Sequence, residues 1–300
     1  MIEPVRVPLP DWIAALAASR PFGAGDRRGT ANLIDAAARA RAAACVRTGD
    51  SASLARPLLG GDYNTTADRP GFRHETWYRP EADGTGWGQD HLVLNPHGLQ
   101  NTHLDALNHV AVDGTFYGGR PVADPEQGSA DVLAPDGLVT RAIYVDIPYL
   151  RGTDWADRPV DGADIDAALA AAGLALERGD ALCLDMGRDR FEAAAGHMLG
   201  GPETDQDAGG GLSADGARWV AEHQVSILAW DMLDSRDAKA AYASAHVLTW
   251  AIGLLLLDNC DFGALRRGYA RGTRVAGALV VSLLAVEGAN GVNLNPLVLT

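Results

Sequence analysis

The chain has 300 residues, 39 acidic and 25 basic, for a formal charge of −14. With 47% apolar and 21% charged residues it has the composition of a globular protein able to bury a large core, which excludes general disorder. The acidic balance leaves no Lys/Arg field for a polyanion, so nucleic acid and anionic membrane surfaces are not expected as partners.

In chain order, Asp11–Ser19 reads as a short helix. A loop, PFGAGDRRGTANLI, follows it, and then Asp35–Thr48, whose strong helix formers start at an aspartate. Gly49–Leu58 is strand-like. Gly60–Gly88 is a long polar segment without periodicity, the composition of an active-site loop or lid, and it holds Trp77 and Trp87, which could form an aromatic wall. His91–Leu94, Ala142–Ile147, Asp180–Asp185, Val225–Trp230 and Leu254–Leu257 read as strands. Gly162–Ala172, Ser213–Glu222 and Ala245–Ile252 read as helices, with Gly173 and Gly253 placed to end the first and the last. Strands alternating with helices, and no linker rich enough to divide the chain, predict one α/β or mixed α+β domain over 1–300.

The longest apolar run, Val247–Leu257, is far short of the roughly 20 residues a membrane span needs. The first residues lack the apolar core of a signal peptide. Cys45, Cys183 and Cys260 sit apart among apolar neighbours, as reduced thiols do. These features predict a soluble, cytoplasmic protein. No GxGxxG after a strand, no P-loop and no GxSxG elbow occurs.

The densest chemistry lies in HGLQNTHLDALNH, which carries His97, His103, Asp105 and His109. His103 and Asp105 are two apart and share a face on a strand. Asp105 and His109 are four apart and share a face if a helix follows. A strand-to-helix transition at Asp105 would aim imidazole, carboxylate and imidazole at one point, a donor set that suits zinc, manganese or iron.

THLDALNH resembles the signature of the cyclase family of metal-dependent hydrolases, written HxGTHxDxPxH, a family that includes kynurenine formamidase and isatin hydrolase. FGAGDRRGTANLI around Phe22, DGTFYGGRP, GLSADGARWVAEHQVSILAWD and LLLLDN are similar to family elements in the same order. The resemblance implies a mixed-sheet fold like kynurenine formamidase (swivelling β/β/α), with a barrel-like core, outer helices, and a homodimer or homotetramer. It implies that His103 and Asp105 bind metal and that His109 transfers protons. His246 and Asp258, twelve residues apart, match a further His–Glu/Gln ligand pair, and Asp258 is a second candidate for proton transfer. Phe22, Trp77, Trp87 and Asn259 are the expected substrate contacts. Leu99 stands where the signature begins with a histidine ligand, Asn101 where it has Gly, and Leu107 where it has Pro. Either the site works with one ligand fewer or His97 reaches in. One Zn2+ or Mn2+ is therefore expected, rather than two ions. The activity implied is hydrolysis of a small amide, formamide, lactam or lactone by metal-activated water. The alternatives are a cyclase or dehydratase, or a catalytically silent binding protein of the same fold.

Overall fold

The computed structural model describes residues 9–58, 72–124, 128–196, 199, 209–240, 245–268 and 275–300. In chain order the strands are β1 (Ser51–Ser53), β2 (Phe72–Pro80), β3 (Gly86–Leu94), β4 (His103–Asp105), β5 (Thr115–Phe116), β6 (Arg120–Pro121), β7 (Leu138–Asp146), β8 (Ala181–Asp185), β9 (Ile227–Trp230), β10 (Leu255–Asp258), β11 (Ala276–Val281), β12 (Gly291–Asn293) and β13 (Leu297–Leu299). The α-helices are α1 (Asp11–Ser19), α2 (Ala36–Cys45), α3 (Ile147–Arg151), α4 (Gly162–Ala172), α5 (Arg188–Ala195), α6 (Ala214–Glu222), α7 (Arg236–Ala240), α8 (Ala245–Ile252) and α9 (Gly263–Gly268).

Nine strands form one mixed sheet in the order β1-β13-β11-β7-β8-β9-β10-β4-β12. Its centre, β7 to β10, is parallel, and β4 joins β10 in antiparallel sense. Strands β8, β9 and β10 are buried on both faces, which is why their sequences are apolar runs rather than alternations. Alternate residues divide between two apolar clusters. Ile143, Leu182, Leu184, Leu228, Trp230 and Leu256 pack under α1, α4, α6 and α8, whereas Tyr144, Cys183, Ala229 and Leu257 join Leu104 and Leu107 on the opposite face. Among the described residues no helix is long and apolar enough to cross a membrane.

The helix ends follow local chemistry. Asp35 accepts the Ala38 N–H at 2.9 Å to start α2, and Ser213 accepts that of Gly216 at 3.0 Å to start α6. Gly173 closes α4 in the left-handed region, at φ 62°.

Three expectations are corrected. Only Ser51–Ser53 of the stretch Gly49–Leu58 is strand. Of the expected lid, residues 60–71 lie outside the described residues, and the rest belongs to β2 and β3, which pair as a separate hairpin. Both its faces are largely exposed, so its sequence carries none of the alternation that one-sided burial produces. Finally, no helix follows Asp105. The chain turns at 106–109, with the His109 N–H bonded to the Ala106 carbonyl at 2.9 Å.

Candidate metal centre

The site lies on the helix-covered face of the sheet, where β4 and β10 meet. His103 and Asp105 project to one side of β4, and Asp258, directly opposite His103 across the ladder, projects with them. Residues between them, Leu104 and Leu257, face the other way into the core. Helix α8 contributes His246 from its first turn. The 106–109 turn brings back His109, and the segment between β3 and β4 brings His97.

Asp105 is the centre of this arrangement and is fully buried. His97 Nδ1 and His103 Nε2 each stand 3.3 Å from its Oδ1, while His109 Nε2 and His246 Nε2 stand 3.5 and 3.8 Å from its Oδ2. Asp258 Oδ2 lies 3.1 Å from His246 Nε2 and 4.0 Å from His103 Nε2. Among the described residues neither Asp105 oxygen nor His97 Nδ1 finds a hydrogen-bond partner, although all three atoms are buried. Leaving a buried carboxylate so is costly. Donors bound at 2.0–2.2 Å to a tetrahedral ion lie about 3.4 Å apart, close to these spacings. The donor set therefore fits a divalent cation. Two sets of three are possible, His97/Asp105/His109 and His103/Asp105/Asp258, and Asp105 belongs to both.

Neighbours hold the donors in place. The His103 Nδ1 is bonded to the Asn101 carbonyl at 2.8 Å, and the His246 Nδ1 to the Asp234 carboxylate; with Nδ1 engaged, each ring turns Nε2 to the cluster. The indole N–H of Trp230 binds Asp258 Oδ1 at 2.6 Å. The rings of His97 and His109 stack at 4.1 Å and 9°.

The electrostatics match a cation site. Burial alone would raise the Asp105 carboxyl, but His103 and His97 hold it well below the usual carboxylate range. Burial pulls His246 down, yet Asp234 and Asp258 outweigh it and raise the ring well above its ordinary value. His103 is raised in the same way by Asp105 and Asp258. His109 differs: burial pushes it down to about 4, and the neighbouring His97 and His246 rings add to this against the opposing pull of Asp105.

The structure thus brings His97, His103, Asp105, His109, His246 and Asp258 together. Leu99 packs its side chain against the apolar cluster instead. The other named residues lie differently. Asn259 is fully buried, and both ends of its amide are engaged within the protein, so it holds backbone rather than offering a surface to a ligand. Trp77 and Trp87 share one face of the β2–β3 hairpin, 48% and 58% exposed. Phe22 is half-buried in the turn after α1. Sequence reasoning missed Asp234, Trp230 and Arg188. The cost of an acid at the end of an apolar strand, which singles out Asp258, applies equally to the AWDMLD stretch and would have pointed to Asp234.

The family model described as "Putative cyclase" matches residues 62–235, more than half of the chain. The protein belongs to the cyclase family. Its fold is that of a solved structure described as a novel cyclase, with a TM-score of 0.81 at 22% identity, over 96% of this chain and 99% of that one. Isatin hydrolase A from Labrenzia aggregata, bound to benzyl benzoate, aligns with a TM-score of 0.59 at 16% identity over 86% of this chain and 96% of its own. The enzyme of the same name from Ralstonia solanacearum gives 0.57 at 19% identity, over 87% and 94%. At such identities the likeness is one of fold. No curated protein matches the sequence significantly.

Proposed function

We propose that the protein is a metal-dependent hydrolase that cleaves a C–N or C–O bond of a small carbonyl compound, an amide, formamide, lactam or lactone. The observation that carries this reading is the buried Asp105 carboxylate, which finds no hydrogen-bond partner for either oxygen among the described residues and is surrounded by four imidazoles. His103, Asp105, His246 and Asp258 would hold one Zn2+ or Mn2+, with His97 in the role of the ligand missing at Leu99. A divalent ion held there would supply Lewis-acid polarisation of a carbonyl and a water made nucleophilic near neutral pH. His109 takes and returns the proton, since burial keeps its ring in the basic, neutral form above about pH 4. Asp234 and the Asn101 carbonyl keep His246 and His103 aimed inward. The shared fold with proteins named isatin hydrolase supports the choice of a hydrolase. The exposed β2–β3 hairpin, with Trp77 and Trp87 on one face, supports a homo-oligomer.

Elemental analysis of the purified protein, followed by assays of metal-reconstituted protein on formamide, lactam and lactone substrates, tests the proposal. Stoichiometric metal and turnover that His103→Ala abolishes are expected. Bound metal with ring closure or dehydration but no hydrolysis would instead make it a cyclase or dehydratase. Absence of bound metal would make it a silent binding protein.

A further inference from the structure

Arg188, the first residue of α5, is fully buried. A guanidinium in that position is tolerated only if its donors are met. Its Nε binds Glu192 Oε1 at 2.8 Å, and Arg56 secures the other Glu192 oxygen at 2.5 Å. Its Nη1 binds Asn259 Oδ1 at 2.6 Å and the Asp231 carbonyl at 3.3 Å. Its Nη2 donates to the Leu99 carbonyl. Asn259, just past the end of β10, carries the same hold further: its Nδ2 donates to the carbonyls of Gly98 at 2.8 Å and Asn101 at 3.0 Å.

Three carbonyls of the segment joining β3 to β4 are thus gripped by two buried side chains from other elements. That segment carries His97, whose Nδ1 faces Asp105. The segment also needs the left-handed backbone of Gly98, at φ 99°. A second feature confines His97 from the far side: a Cβ at Gly291 on β12 would stand 2.7 Å from His97 Cε1. The planar guanidinium meets acceptors in three directions at once, which the single ammonium of lysine does not do.

We propose that Arg188, acting with Asn259, is a positioning residue for the metal centre: by holding the carbonyls of Gly98, Leu99 and Asn101 it fixes the imidazole of His97 against Asp105, in place of the ligand missing at Leu99. This rests on the metal-centre reading above. The clamp supplies what the signature lacks. A histidine two residues early is presented by a segment whose course is set from outside it.

The experiment is Zn2+ affinity of the full-length protein, read by competition with a chromophoric chelator, with thermal unfolding followed in parallel. Arg188→Lys keeps the charge and loses the fork. Asn259→Asp keeps the acceptor for Arg188 and loses both donors to the segment, so it probes the clamp even if Arg188→Lys fails to fold. Each variant is expected to weaken Zn2+ binding about 10–100-fold, the usual effect of losing a residue that orients a ligand. Combined with His97→Ala, each is expected to add much less than it does alone, because both changes remove the same ligand. Equal losses with and without His97 would overturn the proposal and leave Arg188 a residue of general stability. So would unchanged affinity in folded Arg188→Lys and Asn259→Asp. Failure of the unaltered protein to bind Zn2+ would overturn the metal-centre reading itself.

Discussion

Trp230 donates its indole N–H to Asp258 Oδ1 at 2.6 Å, and so leaves Oδ2 alone to face His246 at 3.1 Å. The two residues end neighbouring parallel strands, and the bond turns one carboxylate into a donor of fixed direction. Trp230→Phe preserves most of the apolar packing and strands a buried carboxylate oxygen. It is expected to cost about 1–3 kcal/mol of stability and about 10–100-fold in metal affinity. Denaturant unfolding and chelator competition measure the two effects. A variant with native affinity would show that Asp258 is not held for the metal.

His109 and His103 are expected to separate on mutation. His109→Ala should retain metal while turnover falls by about 10²–10⁴, the contribution of a positioned acid–base group. His103→Ala should lose metal and turnover together. Metal content and single-turnover rate of both variants decide the matter. If His109→Ala loses metal as completely as His103→Ala, His109 is a ligand; if it keeps both metal and full rate, proton transfer belongs elsewhere, with Asp258 the first suspect.

The acidity of the cluster predicts how metal binding depends on pH. In the metal-free protein His246 and His103 are raised by the facing carboxylates, despite burial. A raised imidazole contributes stability that is fully present below its unfolded value of about 6.5 and lost as pH rises through its folded value. Metal requires the same rings deprotonated, so its affinity must rise over that interval. The difference in Tm between metal-loaded and metal-free protein is therefore expected to widen as pH rises above about 6.5, the ordinary imidazole value. Calorimetry in buffers of different ionisation enthalpy should also show proton release on binding. A pH-independent difference would mean that these rings do not meet the ion.

Gly29 and Gly253 touch backbone to backbone: a Cβ on Gly29 would stand 2.2 Å from the Gly253 carbonyl oxygen, which also accepts the Thr30 N–H at 2.8 Å. Both have positive φ, 53° and 69°. This contact seats the GDRRGTANL element against the end of α8, the helix that carries His246. Gly29→Ala combines a left-handed alanine with an overpacked contact and is expected to destabilise by about 2–4 kcal/mol. Denaturant unfolding reads it, and a loss under about 0.5 kcal/mol, the size of an ordinary surface change, would mean the two segments separate easily.

Helices with their own signals were legible in the sequence. α1, α4 and α8 span the residues expected of them, and Asp35, Ser213 and Gly173 mark ends where their backbone chemistry requires. The doubly buried strands β8 to β10 were legible as apolar runs, though with shifted ends. The two-residue spacing of His103 and Asp105 placed both on one face, because a strand's side chains alternate whatever surrounds it. What the tertiary structure decided lies beyond any one element's periodicity. Of the hairpin of β2 and β3 only the end of β3, His91–Leu94, was legible as strand, since both faces are largely exposed. The turn at 106–109 brings His109 to Asp105 where a helix was expected. His97 takes its place beside Asp105 through carbonyls held from α5 and the end of β10, 89 and 161 residues away in sequence. Asp234 and Trp230 orient His246 and Asp258 from positions 12 and 28 residues distant. Local sequence records how a residue meets its own strand or helix. The direction in which a buried donor points is set by partners that only chain folding brings within hydrogen-bonding distance.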